Sequence, residues 1–262
     1  MHDDFVYSDI DISLFTAIKT FIITKNKQPY SAANNRQDVT QLQKIRYMTT
    51  STPLKASQQP ITISEELGVK RMTSQHPVIK KLKKEHPTSI HGDKFWSSSY
   101  LLMDYLNDNP PKKNAKILEI GCGWGLTAIY CTKQFDAEVT GVDADPDVFP
   151  YLQAHAGLNE VHIKQLVKKF EELDVETLAG YDLIIGSDIC FWDQLNDVLF
   201  ELFERAKEAG VEQAIIADPQ RQPFVDLCAR LDDDFSHEVW DWELPEPTPA
   251  NGDILVIDFN KS

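Results

Sequence analysis

The stretch that decides the fold is AKILEIGCGWGLTAIY, residues 115–130. A short apolar run at residues 117–120 leads into alternating glycines at residues 121–125, and a helix-compatible segment follows. This order is expected of a buried parallel strand, a glycine turn and a crossover helix. Glycines are needed at such a turn because a side chain would hold the backbone away from a ligand. The free N–H groups and positive end of the helix would then form a binding site for a polar ligand.

The spacing of the glycines separates this loop from two other nucleotide-binding loops. A dinucleotide-binding loop has glycines at its first, third and sixth positions, with alanine tolerated last. Here Leu126 takes the sixth position and Gly125 takes the fifth. The phosphate loop of nucleotide hydrolases ends in Gly-Lys-Ser/Thr, and this stretch has no such ending. The loop therefore favours neither a dinucleotide nor a nucleoside triphosphate.

An acidic residue follows the loop at a suitable distance. Residues 137–142 predict a second strand that ends at Asp143, 22 residues after Gly121, close to the roughly 20 residues expected for a ribose-binding carboxylate. Such a carboxylate can accept hydrogen bonds from both ribose hydroxyls. Asp143 could instead cap a helix that begins at Pro146, but Asp145 is better placed for capping. We therefore predict that Asp143 binds a ribose.

Together, Glu119-x-Gly121-x-Gly123-x-Gly125 and Asp143 resemble motif I and the acidic partner of class I, seven-strand, S-adenosylmethionine-dependent methyltransferases. The resemblance extends from about Trp96 to Phe259. It implies an α/β fold, a Rossmann-like doubly wound seven-strand sheet with a terminal antiparallel hairpin, and S-adenosylmethionine as cofactor. It also implies that Glu119 receives the methionine ammonium. The implied cofactor-binding residues are Glu119, Gly121, Cys122, Gly123, Trp124, Gly125, Asp143, Ala144, Phe170 and Asp188.

Apolar periodicity predicts the remaining elements of this core. A helix over residues 95–106 is amphipathic in pattern, and Asn109-Pro110-Pro111 ends it. The last two strands have only a short connection without a helix, so they should pair antiparallel. The predicted strands are residues 161–166, 182–188, 211–217, 237–242 and 254–259, and the predicted helices are residues 148–158, 194–209 and 224–231.

The residues after the third predicted strand depart from the family pattern. Many of these methyltransferases carry an acid there that accepts from the adenine amino group. Here residues 168–171 read Lys-Lys-Phe-Glu, so the acid is missing or displaced. Either Glu171 substitutes for it, or backbone groups near Phe170 hold the adenine edge while Phe170 packs on the ring.

The chain before the core predicts two further segments. Residues 1–60 form an N-terminal extension, which we expect to be poorly ordered or loosely attached because residues 25–60 are polar with few large apolar side chains. Residues 61–114 form an arm and a helix that pack on the core. Residues 61–63 are either a short strand or an extended arm, and residues 78–84 are a basic helical turn region. Residues 115–262 form the cofactor-binding core.

Three features place the chain near one group within the superfamily. These are the helix with Trp96 before motif I, Asp188 with an aromatic residue three positions on, and Asp218-Pro-x-Arg221 after the fifth strand. They resemble the seven-strand protein-lysine methyltransferases and their bacterial nicotinamide-methyltransferase-like relatives. That group commonly has Asp-x-x-Tyr, and here Phe191 lacks the hydroxyl. The Asn/Asp-Pro-Pro-Tyr motif of enzymes that methylate adenine or glutamine amino groups does not follow the fourth strand.

The resemblance implies an in-line displacement at a sulfonium methyl, which depends on alignment and exclusion of water. An amine acceptor must be deprotonated, and Asp188 is the candidate to orient it or take its proton. Alternatively, Asp188 caps the next helix or bonds the motif I loop.

Trp96, Phe191 and Trp192 are candidates for walls of the pocket that favour a cation, although core packing is the alternative. Asp218 and Arg221 either pair with each other or bind substrate; we expect a salt bridge. The candidates for the substrate pocket are therefore Trp96, Phe191, Trp192, Asp218 and Arg221.

Charge and composition narrow the partners. The formal net charge is −15, with 13 Lys and Arg against 8 Asp and Glu in residues 1–85 and 13 against 33 in the remainder. Such an acidic core should repel nucleic acid and tolerate a cationic acceptor, although solubility is an alternative reason for surface acid.

Four cysteines without a C-x-x-C pair, and seven histidines without ligand spacing, predict a reducing compartment and no metal site. We expect a cytoplasmic protein without a membrane span.

Three hypotheses remain open at this point. The chain could methylate an amine on a protein lysine or a small molecule, or methylate oxygen or carbon of a small molecule. It could also bind the cofactor without transferring a methyl group. Motif I and Asp143 are needed by all three and do not separate them.

Overall fold

A computed structural model describes residues 62–89, 92–232, 234–244 and 248–261. The predicted extension over residues 1–60 lies outside the described residues. The strands are β1 (Ile63–Glu66), β2 (Val69–Met72), β3 (Lys116–Ile120), β4 (Glu138–Asp143), β5 (Lys164–Val167), β6 (Leu183–Ser187), β7 (Gln213–Asp218), β8 (Ser236–Leu244) and β9 (Ala250–Asp258). The helices are α1 (Pro77–Glu85), α2 (Ser98–Asp108), α3 (Leu126–Phe135), α4 (Phe149–Leu158), α5 (Val175–Leu178), α6 (Gln194–Glu208) and α7 (Gln222–Leu231).

The central sheet has seven strands in the order β5-β4-β3-β6-β7-β9-β8. Strands β3 to β7 run parallel to one another, whereas β9 runs antiparallel to both β7 and β8. Parallel strands require crossover connections that cover both faces of the sheet. The predicted doubly wound sheet with a terminal antiparallel hairpin is therefore confirmed.

Alternate residues of each buried strand supply two separate hydrophobic layers. On β3, Ile117 belongs to the layer that contains α2, α3 and α4, and Leu118 belongs to the layer that contains α6 and α7. This follows from the two-residue side-chain repeat of a strand with both faces covered. The sheet is thus buried between helices, and ligand access is left to the ends of its strands.

Helix α2 is more deeply buried than its sequence pattern predicts. It begins at Ser98 rather than at residue 95, so Trp96 precedes the helix. Every residue from Tyr100 to Leu106 is buried, and the helix contacts α3, β7 and β9. The prediction of an amphipathic helix with one exposed face is wrong, because elements that come later in the chain enclose the helix on all sides from Tyr100 to Leu106. Its predicted end is confirmed at Asn109, before the two prolines.

The arm before the core forms a hairpin, where a short strand or an extended arm was expected. Strands β1 and β2 pair antiparallel through Leu67 and Gly68, whose φ angles are +49° and +77°, as in a two-residue turn with two left-handed positions. Val69, Met72 and Ile79 belong to the same apolar layer as α2 and α3. The described arm therefore packs on the core, while the three predicted segment boundaries stay predictions.

Strand β5 also differs from its prediction. It covers Lys164–Val167 rather than residues 161–166, and its pairing with β4 begins at Lys164 opposite Thr140. The preceding turn is fixed to the arm, because Asn159 accepts a hydrogen bond from Lys70 N and donates one to Lys70 O. Among the helices of the described residues, none is long and apolar enough to cross a bilayer.

Candidate functional site

The glycine loop lies between the end of β3 and the start of α3. Gly121, Gly123 and Gly125 have φ angles of +62°, +48° and +68°, which side chains with a Cβ rarely adopt. A Cβ at Gly121 would lie 2.7 Å from Cγ2 of Ile189, and one at Gly125 would lie 2.7 Å from Cγ of Leu152. A Cβ at Gly123 would meet nothing within 4 Å. Gly123 therefore faces open space at the positive end of a helix, which suits a polar ligand.

Glu119 lies beneath this loop on β3. Its carboxyl is 3% exposed, and Oε2 accepts a hydrogen bond from Ala128 N at 3.1 Å in the first turn of α3. Burial raises the pKa of Glu119 to about 8, against a smaller lowering from the Ala128 N–H. The side chain thus caps the first turn of the helix, and its contact with a methionine ammonium stays a prediction.

Asp143 ends β4 beside the same loop. Its Oδ2 accepts from Gly123 N at 3.1 Å, and its Oδ1 accepts from Asp145 N at 3.1 Å. Burial raises its pKa, and the neighbouring N–H groups oppose the rise. Ala144, the next residue, is exposed. The structure therefore brings the predicted ribose-binding carboxylate into hydrogen-bond contact with the glycine loop.

The other two residues of the loop point inward. The Trp124 ring stacks on Tyr151 and His155, with centroids 5.8 Å and 4.9 Å apart, and Nε1 donates to Gly92 O at 2.9 Å. The side chain thus holds the arm and α4 together, and only the main chain of Trp124 lies with the loop. Cys122 is buried, and burial raises its pKa well above the usual value, so the thiol is protonated near neutral pH and packs as a small apolar group.

Phe170 lies at the rim of the glycine loop. It begins a 3-10 turn after β5, and its Cζ would be 3.7 Å from a Cβ built on Gly121. Glu171 is exposed in the same turn. Both alternatives for the adenine edge, Glu171 and the backbone groups near Phe170, stay predictions.

Asp188 lies directly after β6, on the far side of β3 from Asp143. It has a φ of +57° and is 4% exposed. Its Oδ2 accepts from Ser98 N at 3.2 Å, and its Oδ1 receives a bond from Nη2 of Arg221 at 2.6 Å. Asp188 therefore caps the start of α2, which lies earlier in the chain, rather than the next helix or the motif I loop.

Arg221 joins Asp188 to Asp218 at the end of β7. Its Nη1 donates to Oδ2 of Asp218 at 2.7 Å, and its backbone N donates to Oδ1 at 2.8 Å. The expected salt bridge between Asp218 and Arg221 is present. Asp218 is fully buried, and burial raises its pKa to about 6 although Arg221 lowers it. With both acids ionised, two carboxylates share one guanidinium, so the cluster carries one net negative charge.

Three aromatic side chains adjoin this cluster. The rings of Trp96 and Phe191 are 5.2 Å apart edge to face, and those of Phe191 and Trp192 are 5.8 Å apart. The guanidinium carbon of Arg221 lies 4.4 Å from the Phe191 centroid and 5.6 Å from that of Trp96. Trp192 is 45% exposed. The structure thus brings all five predicted pocket residues to the same edge of the sheet as Asp188. We call this group the acceptor side: Trp96, Asp188, Phe191, Trp192, Asp218 and Arg221.

Sequence reasoning missed residues that join or flank the acceptor side. Ile189 packs against Gly121, and Ser98 bonds Asp188. Lys94 places Nζ 4.1 Å from the centroid of Trp96. Of these three residues, only Ile189 could have been found from the local sequence, because it lies within the Asp188–Phe191 motif. The contacts of Ser98 and Lys94 depend on where the arm folds back, which periodicity does not predict.

The glycine loop and its neighbours fit an S-adenosylmethionine ligand. Gly123 leaves open space, α3 offers a positive end, Asp143 offers a carboxylate and Phe170 an aromatic face. These chemistries match the amino-acid, ribose and adenine parts of the molecule. Within the described ranges, no group of three or more His, Cys, Asp or Glu is arranged to hold a metal ion.

Comparisons with known proteins give one family match. Residues 117–210 match the model described as "Methyltransferase domain". The electron transfer flavoprotein beta subunit lysine methyltransferase of Danio rerio is 26% identical over 153 residues, 58% of this chain and 57% of that protein. The malonyl-[acyl-carrier protein] O-methyltransferase of Priestia megaterium is 32% identical over 116 residues, 44% of this chain and 41% of that protein. The chain thus spans little more than half of one relative and less than half of the other.

The chain is also similar to solved structures. The tRNA (uracil-54, C5)-methyltransferase of Pyrococcus abyssi, in complex with S-adenosyl-L-homocysteine, has a TM-score of 0.49 and 17% identity. The match covers 75% of this chain and 44% of that chain.

Proposed function

Because the chain contains a class I, seven-strand S-adenosylmethionine-dependent methyltransferase domain, we propose that it methylates an amine acceptor, with a protein lysine side chain as the preferred acceptor. The cofactor of this domain is S-adenosylmethionine. The observation that carries the proposal is the acceptor side, where two buried carboxylates and the rings of Trp96 and Phe191 share the guanidinium of Arg221. Trp192 packs against Phe191.

The charge of the acceptor side favours a cationic or amine ligand. Asp188 and Asp218 leave one negative charge uncompensated by Arg221, and the faces of Trp96 and Phe191 attract cations. A phosphate or carboxylate acceptor would be repelled by this negative charge. The guanidinium of Arg221 would not bind it, because it already bonds the carboxylates of Asp188 and Asp218. The net charge of −15 also disfavours a nucleic acid.

Residues 119–125 and Asp143, which we call the cofactor side, would hold the donor through groups of the chain itself. The proposed contacts are the main chain of the glycine loop, the Asp143 carboxylate and the Phe170 ring. The N–H groups of Cys122, Gly123 and Gly125 already donate within the chain. When bound, S-adenosylmethionine supplies an electrophilic methyl group on a sulfonium. Asp188 would then orient the acceptor amine, because its carboxylate is fixed by Arg221 and by Ser98 N. Fixing the carboxylate before the reaction reduces the entropy lost in aligning the amine.

The aromatic rings would exclude water from the acceptor amine. Trp96 and Phe191 pack edge to face over the guanidinium, and Trp192 extends this apolar surface outward. Dehydration favours the neutral amine, which is the nucleophilic form. Phe191 can contribute packing but no hydroxyl, so Asp188 is left as the polar group of its motif.

The relatives of the chain support two acceptor classes. Relatives from Danio rerio, Xenopus laevis and Rattus norvegicus are lysine methyltransferases of the electron transfer flavoprotein beta subunit, which supports a protein lysine. The Priestia megaterium relative is an O-methyltransferase, which supports a small-molecule or carrier-bound oxygen acceptor as the second candidate.

A tritiated cofactor incubated with the purified chain and a cell extract separates these candidates. We expect the label in the protein fraction, on lysine after hydrolysis. Label only in metabolites would reject a protein acceptor, and label released as a methyl ester would favour the oxygen acceptor. If calorimetry shows cofactor binding but nothing is labelled, the chain is a binding protein.

The Asp188→Asn variant tests the role given to Asp188. It keeps a side-chain acceptor for Ser98 N while removing the negative charge. We expect unchanged affinity for S-adenosylhomocysteine and a large loss of methyl transfer. Unchanged methyl transfer would remove Asp188 from the mechanism. A cytoplasmic location also remains part of this proposal; all four cysteines are free thiols, which agrees with a reducing compartment.

A further inference from the structure

Lys94 carries a cation beside the acceptor side that the proposed mechanism does not use. Its Nζ lies 4.1 Å from the centroid of the Trp96 ring, and the residue is exposed. Within the described part of the chain, no carboxylate forms an ion pair with this ammonium. Its contact with Trp96 is a cation–π contact, which is weak at an exposed position, about 0.5–1 kcal/mol. The side chain is therefore free to leave and return.

The segment that carries Lys94 is fixed to the reactive edge of the sheet. Two residues beyond Trp96, Ser98 N donates to Asp188, and Ser99 Oγ lies 3.2 Å from Ser187 Oγ at the end of β6. Ligands of open α/β sheets bind at the carboxyl ends of their strands. Helix α2, which begins four residues after Lys94, is thus held at the edge where methyl transfer would occur.

We propose that Lys94 is itself a methylation site, modified by the same chain that carries it. This inference rests on the proposed function, and it names one lysine that reaches the acceptor side without a partner protein. The aromatic face that would receive a lysine of another protein already contacts the ammonium of Lys94.

The reaction needs only the methyl donor already named. Lys94 loses a proton to solvent, and the lone pair on neutral Nζ attacks the methyl carbon of S-adenosylmethionine. The new N–C bond forms as the C–S bond breaks, and that electron pair stays on sulfur. The products are N-methyl-lysine at position 94 and S-adenosylhomocysteine.

Other lysines differ from Lys94 in position or in pairing. Lys113 lies before β3, at the opposite end of the sheet, and its Nζ is 3.1 Å from Asp136. Lys83 is 3.0 Å from Asp93. Lys113 is therefore a matched exposed lysine that the same chain should leave unmodified.

The direct test is mass spectrometry of the purified full chain after incubation with deuterated-methyl S-adenosylmethionine. We expect a labelled methyl group on the peptide that contains Lys94 and none on the peptide that contains Lys113. Lys94→Arg should lose the label, and Lys113→Arg should keep it. Because the reaction is within one chain, the labelled fraction per unit time should not change with protein concentration.

The outcomes distinguish this inference from the proposed function. If extract proteins or metabolites are labelled while Lys94 is not, the inference is wrong and the function stands. Label spread equally over Lys94 and Lys113, or a rate that rises with protein concentration, also overturns it. If nothing is labelled in any fraction, the proposed function itself is wrong.

A second measurement requires no methyl transfer. A limiting amine-acylating reagent is added to the chain without cofactor, and modification of Lys94 is measured relative to Lys113. If Trp96 holds the ammonium, Trp96→Ala should raise the relative rate at Lys94, whereas Trp96→Phe should change it less. Equal relative rates in all three proteins would show that Lys94 does not rest on Trp96, and would overturn the placement on which the inference depends.

Discussion

The cofactor side and the acceptor side occupy the same edge of one sheet but are built in opposite ways. The cofactor side is mostly main chain, drawn from residues 119–125 and Asp143, which are close in sequence and lie on adjacent strands. The acceptor side is mostly side chain, and its residues come from three separated segments, 94–98, 188–192 and 218–221. The cofactor side depends on glycines, which have no side chain, and the acceptor side depends on buried charged side chains.

This difference determines what each side tolerates. At the glycine loop, an added carbon meets Ile189 or Leu152, or projects into the space proposed for the ligand. At the acceptor side, removal of a charge leaves an opposite charge buried without its partner, which is costly. Additions should therefore damage the first side, and deletions the second.

Removal of Arg221 should have the largest effect. Its guanidinium is 22% exposed and bonds two carboxylates that are almost fully buried. Breaking a buried ion pair from one partner typically costs about 3–5 kcal/mol. We expect Arg221→Ala to lower the free energy of unfolding by roughly that amount and to abolish methyl transfer, as measured by urea unfolding and labelled-cofactor assays.

Arg230 offers the matched control for this prediction. It pairs with Asp197 on the surface, and exposed pairs contribute about 0–1 kcal/mol. Arg230→Ala should therefore change stability little. Arg221→Lys should be intermediate, because an ammonium keeps the charge but cannot present the planar fork that reaches both carboxylates. Equal costs for the two alanine variants would contradict the view that buried charge holds the acceptor side together.

The two sides also differ in how well sequence predicts them. The order of apolar run, glycines and helix at residues 115–130 is local, so β3, the loop and the start of α3 could be predicted to within one residue. The end of α3 at Phe135 was not predicted. Asp143 could be predicted because one helix and one strand separate it from Gly121. The seven-strand topology followed from the same alternation of strands and helices.

The acceptor side was predicted only as a set of candidate residues. That Asp188 caps α2 depends on the arm folding back across the end of β6, a contact between residues 90 positions apart. The burial of α2 and the β1–β2 hairpin depend on the same long-range packing. Periodicity reports which residues are apolar, but it does not report which later element covers them.

Raised pKa values on both sides predict a pH dependence with a defined sign. The pKa of Glu119 is raised from 4.5 to about 8, and that of Asp218 from 3.8 to about 6, chiefly by burial. For each group, at a pH between its ordinary pKa and its raised pKa, the folded chain keeps a proton that the unfolded chain has released. The free energy of unfolding should therefore fall as pH rises through each window, by at most about 1.4 kcal/mol per pH unit for one proton.

Two variants separate the contributions of the two sides. Of these two groups, only Glu119 is still losing its proton above pH 6, so the stability of Glu119→Gln relative to the native chain should rise between pH 6.5 and 8. The relative stability of Asp218→Asn should change mainly between pH 4 and 6 and be level above that. Urea unfolding at several pH values measures both. A Glu119→Gln difference that is constant with pH would show that Glu119 is ionised throughout.

The smallest expected effects concern single carbons added to the glycine loop. Alanine at a left-handed position costs about 1–2 kcal/mol, and at Gly121 the new Cβ would also lie 2.7 Å from Cγ2 of Ile189. At Gly123 the Cβ would meet no protein atom within 4 Å. Gly121→Ala should therefore lose more stability than Gly123→Ala. Gly157→Ala, at an exposed helical position with open space, should be neutral or gain up to about 1 kcal/mol.

Affinity for S-adenosylhomocysteine, measured by calorimetry on the same three variants, should follow a different order from stability. Gly123→Ala keeps most of its stability but projects a methyl group where the ligand is proposed to lie, so its affinity should fall sharply. Gly157→Ala should bind as the native chain does. Gly121→Ala should lose both properties, because Ile189 joins the loop to Asp188 and the two sides meet there. Native affinity in Gly123→Ala would mean that the ligand does not use the open space above the loop.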